Sequence, residues 1–226
     1  KHIVLATSVS GTPNIPTIPG IENFKGKVLH SSQFAAGREW AGRSVVVFGT
    51  GTSAHDICQE LHAAGADVTM VQRSPTMVVN VEPAQLYDRT YLGDGPPIEV
   101  RDILNSGVPL PVMKVAHKII TDEVKRLDAP LLSRLERAGF RLEFGEDGTG
   151  WPLKFRSRGG GYYFNVGCSE LIADGWPTLH RRLDEFIAAG LSKFVIRPVG
   201  AGQFGDGGRL EDFVTRFAAE LLPREN

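Results

Sequence analysis

Cysteine is scarce. Cys58 and Cys168 are the only two in 226 residues, too few for a disulfide framework. Neither lies in a C-x-x-C pair or a Cys/His cluster spaced for zinc, so a reducing, cytoplasmic setting is expected. No apolar run approaches the roughly 18–20 residues that span a bilayer. No charge of one sign dominates, with 25 Lys and Arg against 26 Asp and Glu and a net charge of -1. Such a balance supplies no electrostatic pull toward nucleic acid or an anionic membrane. A nucleophile elbow with a Ser/His/Asp order is absent too, which argues against hydrolase chemistry. There is no internal repeat, and the opening residues do not read as a signal peptide. The chain opens Lys-His-Ile-Val-Leu-Ala-Thr, already inside an apolar strand-like run, and reads as a piece of something longer.

What is present has an α/β rhythm. Residues 3–7 read as a short strand, followed by a Pro- and Gly-rich connection to Gly20 that forbids helix. Ser44–Phe48 is β-branched and apolar, as expected of a strand covered on both faces. Ala54, Ile57, Cys58, Leu61 and Ala64 then fall on one helical stripe, and Gly65 supplies its stop. Asp67–Val71 is the next strand, completing a βαβ unit. Residues 82–111, rich in Gly and Pro, predict loops with short helical pieces. Val115, Ile119, Ile120, Val124, Leu127, Leu131 and Leu135 predict one apolar helical stripe, broken or kinked at Pro130. Tyr162–Val166 is an aromatic strand, and hairpins and helices are expected beside the βαβ unit. In the last fifty residues, 179–190 and 210–221 predict helices around a strand at 193–197.

Gly49-x-Gly51-x-x-Ala54 lies directly after a buried strand and opens a helix, where a dinucleotide fingerprint belongs. The first glycine permits a tight turn, and the second lets a pyrophosphate approach bare backbone. The small third residue lets helix and strand pack closely. The residues expected to touch the diphosphate are Gly49, Thr50, Gly51, Thr52, Ser53 and Ala54, at the positive end of the helix. The alternative is a plain glycine turn that binds nothing.

The end of the following strand bears on which dinucleotide fits. An NAD-preferring fold carries Asp or Glu there to accept from the ribose 2′-hydroxyl. Here the residues are Gln72, Arg73 and Ser74. A guanidinium cannot accept a hydrogen bond but forks onto a 2′-phosphate, and Ser74 adds a hydroxyl, so NADP(H) is expected. The alternative for Arg73 is a solvated charge at a strand end. His55, Asp56, Glu60 and His62 are read as a solvated helix face, Cys58 as core, and Asp122, Glu123 and Lys125 as an exposed face.

Upstream, Phe24-x-Gly26-x-x-x-His30-x-x-x-Phe34 resembles the F-x-G-x-x-x-H signature of flavin-containing monooxygenases. Ala6-Thr7, the proline-rich stretch to Gly20, Val68–Ser74 and Gly161–Gly167 are similar to that family as well. The resemblance covers residues 1–175 and implies NADPH-dependent, FAD-mediated monooxygenation of a small molecule. Phe34-Ala35 is closer to the N- and S-oxygenating type than to Baeyer–Villiger enzymes. In this resemblance His30 is positional, linking two nucleotide domains. There are departures. Ser8 stands where the family turn has Gly, and no FAD fingerprint precedes Lys1, so a flavin-binding domain is expected to be missing. Residues 183–223 resemble the last helix–strand–helix of luciferase-like, deazaflavin-using oxidoreductases. The fold expected is a Rossmann-like, three-layer α/β domain over 1–175 with an irregular α+β insertion, followed by an α/β tail over 176–226. Two other readings stay open: a non-catalytic NADP(H)-binding module, and a deazaflavin oxidoreductase remnant.

Overall fold

The β-branched run Ser44–Phe48 forms the strand its composition predicts, and Val45, Val46 and Val47 are all buried, so both faces of the sheet are covered. The structure, a computed structural model, describes residues 24–175, the isolated positions Ile3, Pro13, Ile15 and Ile21, and the backbones of Thr178–Leu179 and Lys193–Ile196. In chain order the strands are β1 (Lys27–His30), β2 (Ser44–Phe48), β3 (Asp67–Val71), β4 (Met77–Asn80), β5 (Tyr162–Asn165), β6 (Thr178–Leu179) and β7 (Lys193–Ile196). Five of them form a parallel sheet in the order β1-β7-β2-β3-β6. Ser44 pairs with Asp67 and Phe48 with Val71, so β2 and β3 run in full register.

Helix α1 (Thr52–Ala63) crosses between β2 and β3. Its Ala54, Ile57, Cys58 and Leu61 pack with Val45, Val47, Val68 and Met70, and Gly65 ends it at φ +77°. The remaining helices are α2 (Val81–Ala84), α3 (Ile98–Ser106), α4 (Leu110–Leu127), α5 (Ala129–Arg137), α6 (Gly150–Arg158) and α7 (Cys168–Ala173). The described residues thus form a mixed α/β fold built on parallel sheets.

The inserted region departs from expectation in three places. β4 and β5 form a separate two-stranded sheet, and it is parallel rather than a hairpin. Its period-2 alternation divides two cores. Val78 and Tyr163 face the α1 side, whereas Met77, Val79, Tyr162 and Phe164 face a second cluster with Val124, Tyr87 and Trp151. The helical run breaks at Asp128, not Pro130, which sits within the first turn of α5 where its missing N–H costs nothing. The single apolar stripe is not all core either. Val124, Leu131 and Leu135 are buried, but Val115, Ile119 and Leu127 are exposed.

In the tail, the β7 strand forms as expected, while Leu179 belongs to β6 rather than to a helix. Residues 4–7, 183–190 and 210–221, with the expectations placed on them, lie outside the described residues.

Candidate functional site

The turn after β2 is built around one unusual backbone. Gly49 has φ +111°, a conformation that a Cβ would strain, and its N–H donates to the Val71 carbonyl at 2.9 Å. Gly51, the N-cap of α1, has ordinary extended angles (φ -82°, ψ 178°) and is buried. No side chain caps the helix. The Gly51 carbonyl accepts from the Ala54 and His55 N–H groups at 3.0 and 3.1 Å. The N–H groups of Thr52 and Ser53, in the first turn, have no acceptor within the helix. This end lies where the chain leaves β2 toward β3 while β7 pairs on the opposite side, the crevice where α/β sheets take ligands.

The expected diphosphate residues divide into two kinds. Thr50 is buried and its hydroxyl shares a 2.5 Å hydrogen bond with Thr76, bracing the turn from below. The Thr52 hydroxyl donates to the Tyr162 carbonyl at 3.3 Å, tying the helix start to β5. Ala54 is buried against the sheet, as its small size requires. That leaves the first-turn N–H groups of Thr52 and Ser53 and the Ser53 side chain, all on half-buried residues, as the groups able to face an anion.

Arg73 follows the end of β3, half-buried, and burial pulls its guanidinium down from its ordinary value. Ser74 beside it is exposed. The structure adds Arg141, which sequence reasoning missed. Its Nη2 donates to the Arg73 carbonyl at 2.5 Å and the Gln72 carbonyl at 3.2 Å. The Gln72 side chain returns the contact, accepting from the Arg141 N–H at 2.7 Å and donating to its carbonyl at 2.9 Å. Two guanidinium-bearing residues therefore meet at one strand end, although 68 positions separate them. Nothing in Gly139-Phe140-Arg141 marks that meeting, which depends on the Thr76–Leu142 bridge.

His55 overturns the expectation of a solvated face. It is fully buried, stacked on Tyr163 with ring centroids 3.9 Å apart and 7° between planes, with Phe140 tilted beside it. Its Nδ1–H donates to the Gly51 carbonyl at 3.1 Å, so the imidazole locks the first turn of α1. Nε2 is buried without a partner, and burial lowers the ring pKa to about 4. Asp56, Glu60 and His62 are exposed as expected, and Glu60 accepts from the Gly37 N–H at 2.7 Å. Cys58 is core, and burial raises its pKa.

The upstream motif holds a turn. His30 ends β1 and caps the following turn, its Nδ1 accepting from the Ser32 N–H at 3.2 Å while Gln33 accepts from the His30 N–H. Phe34 stacks on buried Trp40 at 6.5 Å. Among the described residues, no group of three or more His, Cys, Asp or Glu is arranged to hold a metal ion, and no helix is long and apolar enough to cross a membrane.

With the glycine turn, the uncapped helix and the upstream cap in place, a match between residues 3–92 and the flavin-binding monooxygenase-like family model takes in all three. That segment is similar to the flavin-containing monooxygenases. A probable indole-3-pyruvate monooxygenase, YUCCA10 of Arabidopsis thaliana, is 38% identical over 82 residues, covering 36% of this chain and 21% of its own length. A trimethylamine monooxygenase of Roseovarius sp. (strain 217) is 36% identical over 80 residues, covering 35% and 18%. A cyclohexanone-bound crystal structure of cyclohexanone monooxygenase superposes at a TM-score of 0.49 with 15% identity, over 89% of this chain and 50% of that one. The chain spans about a fifth of the length of the curated flavin monooxygenases it matches.

Proposed function

We propose that this chain is the NADP(H)-binding part of a flavin-dependent monooxygenase of the N- or S-oxygenating type, acting on a small molecule. The observation that carries the reading is the uncapped start of α1, with Gly49 at φ +111°, set beside the Arg73–Arg141 strand end. The residues fit a dinucleotide. The Thr52 and Ser53 N–H groups would take the diphosphate, and Arg73 the extra phosphate on the ribose, with Arg141 fixing the backbone from which Arg73 projects.

Flavin supplies the oxygen chemistry in such an enzyme. No second G-x-G-x-x-(G/A) turn follows a strand among the described residues, so FAD would be held by other parts of the enzyme. The described residues bind, orient and shield. His55 holds the Gly51 carbonyl, which keeps the first-turn N–H groups aimed outward, and Thr50 with Thr76 keeps the turn from collapsing inward.

The test is a titration of the chain and of Arg73→Ala with NADP⁺ and NAD⁺. A charge-assisted hydrogen bond is worth about 1.5–3 kcal/mol, so Arg73→Ala should weaken NADP⁺ roughly ten- to hundredfold while leaving NAD⁺ nearly unchanged. Equal affinity of the unmodified chain for both dinucleotides refutes the assignment.

A further inference from the structure

The candidate nucleotide site draws on two separate stretches of chain, the turn at residues 49–53 and the strand end at residues 72–74. The β2–β3 ladder joins them as far as Gly49, whose N–H donates to the Val71 carbonyl at 2.9 Å. Beyond that point side chains make the tie. The Thr50 and Thr76 hydroxyl oxygens lie 2.5 Å apart, and Thr76 also donates to the Ser74 carbonyl at 3.4 Å. A hydroxyl has one proton to give. Because that of Thr76 goes to Ser74, Thr50 is the donor in the shorter bond. The relay therefore runs from Thr50 through Thr76 to Ser74.

Thr76 is well fixed for the middle place. Its N–H donates to the Arg141 carbonyl at 3.1 Å and its carbonyl accepts from the Glu143 N–H at 3.3 Å, on either side of the bridge to Leu142. Pro75 separates it from Ser74, so one backbone rotation of the link is locked and Ser74 is confined to extended angles. Arg141 holds the two preceding carbonyls, of Gln72 and Arg73, through Nη2. The carbonyls of residues 72, 73 and 74 are thus each held by a side-chain donor. Thr50 and Thr76 are both buried, at 6 and 2% exposure, so their hydroxyls act on a nucleotide through the backbone they hold.

Resting on the NADP(H) reading above, we propose that Thr76 is a positioning residue for the phosphorylated dinucleotide. With Thr50 it holds the Arg73–Ser74 segment at one spacing from the diphosphate turn. In NADP(H) the diphosphate and the extra phosphate hang on the same ribose, so the ligand dictates that spacing. A strand end already held there binds without an ordering cost at the moment of binding. NAD(H) lacks the second phosphate and gains nothing from the tie.

Calorimetric titration of the 226-residue chain with NADP⁺ and NAD⁺ tests this. Thr76→Val keeps the branched shape and drops the hydroxyl. It should lower the preference for NADP⁺ over NAD⁺ roughly three- to tenfold, the worth of one neutral hydrogen bond. Any disturbance of the diphosphate turn acts on both dinucleotides and cancels in that ratio. Thr76→Ser should keep the preference, and Thr50→Val, which cuts the relay at its other end, should lower it by a like factor. In an Arg73→Ala background Thr76→Val should change the ratio no further. Equal affinity of the unmodified chain for both dinucleotides overturns the NADP(H) reading and this inference with it. A preference that survives both valine variants overturns the inference alone, as does a Thr76→Val effect that persists undiminished without Arg73.

Discussion

Acid should weaken the α1 turn through a single imidazole. His55 is neutral in the folded chain because burial holds its pKa near 4, against 6.5 when it is exposed on unfolding. Below pH 6.5 the unfolded chain therefore binds a proton that the folded chain refuses. Stability is complete above 6.5 and falls progressively as pH drops toward 4. The gap between those values, at 1.36 kcal/mol for each pH unit, sets a ceiling of about 3 kcal/mol, most of which is lost by pH 4.5. The measurement is urea unfolding of the chain and of His55→Gln between pH 7.5 and about 4.5, the variant cancelling the carboxylates that begin to titrate at the lower end. Gln keeps a donor for the Gly51 carbonyl but does not titrate. The chain should lose about 2–3 kcal/mol more than the variant across that range. Parallel curves would show that His55 accepts its proton without disturbing the fold, and the argument from its stacked, unpartnered ring would fail.

Other perturbations follow from the same geometry. Gly49→Ala meets φ +111° and should cost about 1–2 kcal/mol of stability in denaturant unfolding, with loss of NADP⁺ binding by calorimetry. Lys154, only 6% exposed, is paired with Glu143, and burial together with Arg158 lowers its pKa to about 8. Glu143→Gln strands that cation, and thermal or urea unfolding should record a loss of about 3 kcal/mol. Buried Asp128 accepts from the Asn80 N–H at 2.9 Å and its side-chain amide at 2.6 Å, and it also precedes α5. Asp128→Ala should cost about 2–3 kcal/mol by urea unfolding.

The β2–α1–β3 unit was legible because its instructions are local. A β-branched run, a glycine turn, a 3.6-residue stripe and Gly65 each act within a few positions, and the strand limits Ser44–Phe48 and Asp67–Val71 are those expected. Distant contacts left no such mark. β4 acquires its role from β5, with Met77 paired to Tyr162, so Met77–Asn80 gave no strand reading of its own. His55 lies one position off the α1 stripe, and only Tyr163 and Phe140, brought in from far along the chain, make that position interior. The stripe on α4 shows a further limit. Periodicity reports that a face is apolar, not whether protein or solvent meets it, and Val115 and Ile119 fell on the other side from Val124.

The parallel pairing of β4 with β5 constrains how residues 81–161 can be altered. Antiparallel neighbours tolerate replacement of whatever joins them by a two-residue turn, since one strand ends where the other begins. Here Asn80 lies opposite Asn165, so any linker must travel back along the whole ribbon before Tyr162 can start. Whatever else changes in this stretch, a return path of about a dozen residues must survive, and an engineer who trims below it would unzip the wall between the two cores.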